Sequence, residues 1–165
     1  MPFVFECSHH YLSMWERFSD FAGRATRAEY WYAFLLHFII SSLLGVLAQS
    51  GGYFAILSGM YTAAGLVPMS ALLVRRLHDV GQPGPLWLGA ILLTLFLCVS
   101  LMVGAMTFSP TLMIAGVVFG LAAFALNIYI FTQLVRRGSA GPNRYGPDPC
   151  DVKAILPVQN GNQNG

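Results

Sequence analysis

Residues 30–74 read YWYAFLLHFIISSLLGVLAQSGGYFAILSGMYTAAGLVPMSALLV, and none of these 45 positions is Asp, Glu, Lys or Arg. A second run, residues 80–135, is uncharged over 56 positions. A helix crossing the hydrocarbon core of a bilayer needs about 20 apolar residues, so each run holds two crossings. Gln49-Ser50-Gly51-Gly52 breaks the first run and Ser109-Pro110-Thr111 the second. Spans are therefore predicted near residues 30–48, 54–74, 86–108 and 112–135. Composition agrees, since 56% of the 165 residues are hydrophobic and 10% charged, against about 25% charged in a soluble domain. The fold class is all-α, an integral membrane four-helix bundle.

Working outward, Met14, Trp15, Phe18 and Phe21 follow helical spacing with Glu16, Arg17 and Asp20 between them. That pattern predicts a short N-terminal amphipathic helix over residues 13–21, lying on the membrane surface. Ser13 with Glu16, and again Thr26 with Glu29, have capping-box spacing. Tyr30, Trp31 and Tyr32 are an interfacial aromatic cluster at the mouth of the first span. Residues 1–12 form an N-terminal segment with neither a basic nor an apolar stretch, so no cleavable signal peptide is expected. Residues 13–149 form one membrane domain. Residues 150–165, rich in Asn, Gln and Gly, are expected to be a disordered tail.

Local signals refine the spans. Pro68 predicts a kink in the second. Gly81 suits a left-handed helix stop, and Pro85 suits the first turn of the third span. Gly116 and Gly120 have GxxxG spacing, read as close packing within the bundle.

All nine Lys and Arg residues flank the same ends of the spans. Arg17, Arg24 and Arg27 precede the first, Arg75 and Arg76 lie between the second and third, and Arg136, Arg137, Arg144 and Lys153 follow the fourth. The positive-inside rule then puts both termini in the cytoplasm. These basic residues form no dense or aromatic-interleaved stripe, which argues against nucleic acid as a partner. Cys7, Cys98 and Cys150 have no paired spacing and are read as free thiols. Cys7, His9, His10 and Cys150 fit no established zinc pattern, so neither a metal nor another cofactor is expected.

Three segments carry nearly all the remaining polarity: FAGRATRAEYW at 21–31, RRLHDVG at 75–81 and GPNRYGPDP at 141–149. In order and spacing they resemble the F-x-G-R-x-x-R-x-E-Y-W, R-R-L-H-D-x-G and N-R-[FY]-G-P-D-P motifs of the bacterial inner-membrane family catalogued as domain of unknown function 805. The resemblance runs from about Leu12 to Pro149. It implies a small multi-pass protein of the bacterial inner membrane and leaves the activity open. One departure is that residues 81–87, GQPGPLW, lack the tryptophan pair usual there. A role resting on such a pair does not carry over.

The candidate binding or structural cluster is Arg24, Arg27, Glu29, Arg75, Arg76, His78, Asp79, Asn143, Arg144 and Asp148. Asp79 is the most informative, because a carboxylate at a helix C-terminus meets the negative end of the dipole. Arg75 at i−4, Arg76 at i−3, and Arg24 or Arg27 are candidates to compensate it, and a salt-bridge network at the helix ends is the plainer reading. His78 and Asp79 point about 100 degrees apart on a helix and make a poor acid-base pair. Glu29 has a sufficient task in its capping box. His37 and Asn127, polar at depth, are expected to hydrogen-bond between helices. No charged residue occupies a span interior, which argues against a proton-coupled transporter.

The function expected from these residues is non-enzymatic. The protein contacts the lipid bilayer, and its cytoplasmic cluster binds anionic headgroups or a membrane protein partner. The alternatives are an oligomeric transport subunit and a membrane enzyme acting on a lipid-linked substrate; the latter lacks a recognisable nucleophile, metal set or phosphate loop. The sequence sets no oligomeric state. In intact cells, cysteines introduced as Gly51→Cys and Ser109→Cys should react with impermeant maleimide while Gly138→Cys stays protected. The reverse pattern would invert the orientation.

Overall fold

A backbone inside hydrocarbon has to satisfy its own hydrogen bonds, so an uncharged run long enough to cross the membrane folds as helix. The computed structural model describes residues 2–150 and contains α1 (Pro2–Glu16), α2 (Arg27–Ala48), α3 (Gly52–Asp79), α4 (Pro85–Thr107) and α5 (Pro110–Val135). The last four are long and apolar enough to span a membrane. With 22 to 28 residues each, they measure about 33 to 42 Å at 1.5 Å per residue, against a core of about 30 Å. The sequence-based spans fall inside these helices, except that α4 stops at Thr107 and Phe108 takes a left-handed cap with φ 51°. The expected tail from residue 151 onward lies outside the described residues.

Helix ends follow local chemistry. Thr26 caps α2, its hydroxyl accepting from the Glu29 amide at 3.1 Å. The α3 helix runs without interruption through the buried Pro68 and past the last apolar residue to Asp79. It ends in a Schellman motif, with Gly81 N–H donating to the His78 carbonyl at 3.0 Å and Gln82 N–H to that of Leu77 at 2.9 Å. Gly81 supplies the positive φ of 75° that the motif requires. Pro85 and Pro110 begin α4 and α5.

The spans pair as two hairpins, α2 with α3 and α4 with α5. The second is closed by small residues: a Cβ added at Gly116 would lie 2.6 Å from Ser100 Oγ, and one at Gly120 would lie 2.8 Å from Leu97. The GxxxG pair thus serves packing within the chain, as expected. The hairpins meet mainly at the arginine-bearing end, where Tyr30, Leu72, Leu77, Ala90, Ile130 and Leu134 share one core. Toward the opposite end, large apolar side chains such as Val46, Tyr53 and Met106 are exposed, which in a bilayer means facing acyl chains.

The surface helix expected over residues 13–21 requires correction. The helix is α1, Pro2–Glu16, with Ser13 in its last turn, and Arg17 N–H closes on the Ser13 carbonyl at 3.1 Å. Its partners explain the shift. Cys7 and Met14 are buried, His10 stacks on Tyr32, and the Tyr11 hydroxyl lies 2.7 Å from that of Tyr61. Positions 7, 10, 11 and 14 make a helical stripe that packs on α2 and α3. The chain then turns at Asp20, whose carboxylate accepts from Arg17 at 2.6 Å and from the Ala22 amide at 3.0 Å. The Arg17 guanidinium accordingly holds the Asp20 carboxyl below the usual carboxylate range.

The α4–α5 seam supplies a stability test. Gly116→Leu forces side-chain volume into a closed contact and should destabilise the protein in detergent by about 1 to 3 kcal/mol. Gly59→Leu, at a position with nothing within 4 Å, should leave the thermal midpoint nearly unchanged. Equal losses would place the seam elsewhere.

Candidate functional site

Asp79 ends α3 and is 4% exposed, so both the helix dipole and desolvation oppose its charge. Two guanidinium groups answer it. Arg24, on the segment leading into α2, donates from Nε at 3.0 Å to Oδ1. Arg76, one turn earlier on α3, donates from Nη1 to Oδ2. Arg24 is 6% exposed and Arg76 is fully buried.

The remaining donors of both forks close the chain that follows α5. Arg24 reaches the carbonyls of Gly141 and Ser139 at 2.7 and 2.6 Å. Arg76 donates to the carbonyl of Leu134 through Nε and Nη2, at 3.2 and 3.1 Å, and to that of Arg136 through Nη2. These carbonyls end α5 and lack partners within their own helix. Ser139 donates through its amide and hydroxyl to the Asp79 carbonyl, at 2.9 and 3.0 Å. A Cβ on Gly138 would overlap the Asp79 carboxylate, so only glycine allows this approach.

The third motif completes the face. Asn143 donates to the His78 carbonyl and to the Ser139 hydroxyl, each at 3.0 Å, and accepts from the Tyr145 amide at 2.8 Å. Tyr145 stacks on His78 with centroids 3.8 Å apart and planes 5° from parallel, and the Arg144 guanidinium carbon lies over the Tyr145 ring, 4.7 Å from its centroid. His78 Nδ1–H donates to the Gly23 carbonyl at 3.2 Å. Asp148 accepts from the amides of Gly141 and Cys150 at 3.0 and 2.9 Å, bonds that hold its carboxyl below the usual range.

The three segments therefore converge, but not all in the expected pairs. Arg75 turns away from Asp79 toward Glu29, at 3.7 Å, and none of its guanidinium nitrogens has a hydrogen-bond partner among the described residues. Arg27 does not reach Asp79 either. His78 and Asp79 face different partners, as their adjacency on a helix requires. Among the spans, His37 bonds between helices to Tyr61 at 2.9 Å, whereas Asn127 bonds within its own helix, to the Ala123 carbonyl at 2.8 Å.

Beside the Arg24–Asp79–Arg76 knot is a cavity of about 320 Å³. Arg27 and Arg137 stand at its wall, both exposed, and neither makes an ion pair or hydrogen bond among the described residues. Asp79 and Asp148 also line it, but the first is matched by two arginines and the second is held by backbone amides. The surface is a basic concavity with two free planar donor forks. Arg137, Gly138 and Ser139 were missed as site residues by sequence reasoning. The available signal was an arginine pair directly after the last apolar span followed by glycine. Among the described residues no group of three His, Cys, Asp or Glu is placed to hold a metal.

The model of the family described as protein of unknown function (DUF805) matches residues 18–147. Inner membrane protein YhaI of Escherichia coli strain K12 is 33% identical over 140 residues, covering 84% of this chain and 93% of that protein. Inner membrane protein YhaH of the same strain is 28% identical over 144 residues, covering 84% and 94%. No solved structure matches the chain.

Replacing Asp79 with Asn leaves two buried cations without their counter-charge, a loss of about 3 to 5 kcal/mol that should appear as a large fall in detergent melting temperature. Adding Arg24→Gln to Asp79→Asn should recover part of it, while adding Arg75→Gln should be additive. Additivity in both double variants would take Asp79 out of the network.

Proposed function

The chain belongs to the DUF805 family, and we propose that it is a non-enzymatic inner-membrane protein, both termini cytoplasmic, whose basic concavity binds the headgroup of an anionic lipid. The observation that carries this reading is the pair of free guanidinium groups, Arg27 and Arg137, on a cavity whose carboxylates are already engaged. An arginine fork matches phosphate geometry through two parallel hydrogen bonds. A floor of paired guanidinium groups with two unpaired arginines at its wall therefore favours a phosphate over a neutral headgroup. The inner-membrane location is supported by the names of the relatives. The orientation is supported by the one-sided distribution of all nine Lys and Arg residues, which also turns the concavity toward the leaflet where anionic lipid raises local attraction.

A binding role suits the polar groups better than catalysis does. His78 is occupied by Gly23 and Tyr145, and Asp79 by two arginines. The hydroxyls that line the cavity are committed too: Ser139 Oγ donates to the Asp79 carbonyl and Thr26 Oγ1 accepts from the Glu29 amide.

Protein purified in a neutral detergent and exposed to equal phosphatidylglycerol and phosphatidylcholine should retain the anionic lipid preferentially by native mass spectrometry. The preference should weaken as salt rises. With each charge contributing about 1 kcal/mol, Arg27→Gln with Arg137→Gln should reduce it by up to about thirtyfold. Equal retention of both lipids by the unaltered protein would remove the lipid reading, and so would a preference that survives the double substitution.

A further inference from the structure

The side chains of the basic concavity do not balance in charge. Arg24, Arg27 and Arg137 line it together with Asp79 and Asp148, and Arg76 stands behind, paired to Asp79. Four cations thus face two anions, a surplus of two positive charges. Arg27 is near enough for its charge to repel that of Arg76, and no carboxylate among the described residues pairs with Arg27 or Arg137. Such self-repulsion destabilises a compact structure. A doubly charged anion cancels it, whereas a singly charged one leaves half of the surplus in place.

Donor geometry points the same way. A guanidinium fork engages an oxyanion through two parallel hydrogen bonds to two oxygens. A phosphate diester presents two oxygens that are not esterified, which serve one fork. A monoester presents three, so two forks can hold it along two edges that share an oxygen. Both unpaired forks stand on the wall of one cavity of about 320 Å³. A sphere of that volume is about 8.5 Å across, and a guanidinium carbon in fork contact stands about 4 Å from phosphorus. The cavity therefore matches the span of one phosphate between two guanidinium groups.

Its height suits a lipid phosphate. Arg27 opens α2, and Arg137 follows the last residue of α5 by two positions. Trp31 and Tyr32 lie one turn deeper on α2, and aromatic residues at a span end sit at the headgroup level. A lipid can thus place its phosphate in the concavity and leave its acyl chains in the bilayer.

We propose, on the reading that the concavity binds an anionic headgroup, that this headgroup is a phosphate monoester held by Arg27 and Arg137 together. Phosphatidic acid presents that group from the membrane, and glycerol phosphate presents it from water.

The test is competition on the purified protein between phosphatidic acid and phosphatidylglycerol of the same acyl chains, mixed equally with phosphatidylcholine and read by native mass spectrometry. At neutral pH one phosphatidic acid per protein should be retained about fivefold over phosphatidylglycerol, the factor for one further charge close to the surface. Well below the second phosphate pKa of about 6 that ratio should fall toward one, and no histidine lines the cavity to titrate in the same interval. Arg27→Gln or Arg137→Gln alone should abolish the preference for the monoester, while a reduced preference for both anionic lipids over phosphatidylcholine remains. Both side chains are exposed, so neither variant should lose the fold. Arg17→Gln, which removes an equal charge outside the cavity from a pair with Asp20, should keep the fivefold ratio. A large excess of glycerol phosphate decides the source: resistance to displacement assigns the site to the lipid, and displacement assigns it to the soluble ester. Equal retention of the two anionic lipids, both above phosphatidylcholine, would overturn the monoester and leave the headgroup reading standing. Equal retention of all three would remove both. A ratio unchanged in either single variant would mean that the arginines do not share one phosphate, and it too would overturn the proposal.

Discussion

The burial of one carboxylate between two guanidinium groups governs this structure. An ionised group removed from water costs several kcal/mol unless it is paired and hydrogen-bonded throughout. Asp79 meets that demand only when Arg24 arrives from the segment before α2 and Arg76 from its own helix. The donors left over on the two arginines then fix where α5 may end and how the chain continues, because they have to find carbonyls. A single negative charge at a helix terminus thereby sets the relative positions of four separate segments. It also explains why glycine stands at position 138, where any side chain would occupy the space of the carboxylate.

The excess of arginine around that knot gives the neighbouring surface its character. Asp79 neutralises one of its two partners and leaves a positive field at a place where Arg27 and Arg137 add two more charges. Arg75 stands on the other side of α3 against Glu29, one helical step from Arg76 and in a different environment. The basic concavity thus follows from how the helix end is stabilised, and the same residues that hold the bundle together tune the surface beside it.

Much of this was legible in the residues themselves. Uncharged runs located the spans, and Thr26, Gly81 and Pro85 marked helix boundaries because capping depends on local geometry. The opposition between Asp79 and its helix dipole identified the centre of the network before any contact was known. What escaped was decided by tertiary direction. Arg75 and Arg76 both lie within helical reach of Asp79, and only the approach of the α2 lead-in segment settles which one turns to it. Ser13 and Glu16 have the spacing of a cap, yet the stripe formed by Cys7, His10, Tyr11 and Met14 continues the helix beyond them in the N-terminal direction. Arg137 was hidden because a pair of arginines after a span reads first as an orientation signal.

The turns at the end opposite the arginines are short and carry no charge: Gln49 to Gly51 between α2 and α3, and Phe108 with Ser109 between α4 and α5. Neither tip therefore holds an ion that would oppose its entry into the bilayer. The lock at the other end has a different schedule. Asp79 and both of its arginines are made early, whereas the carbonyls of Leu134, Arg136, Ser139 and Gly141 emerge only after the last span. The chain order thus delays completion of this lock until synthesis of the membrane domain is nearly finished.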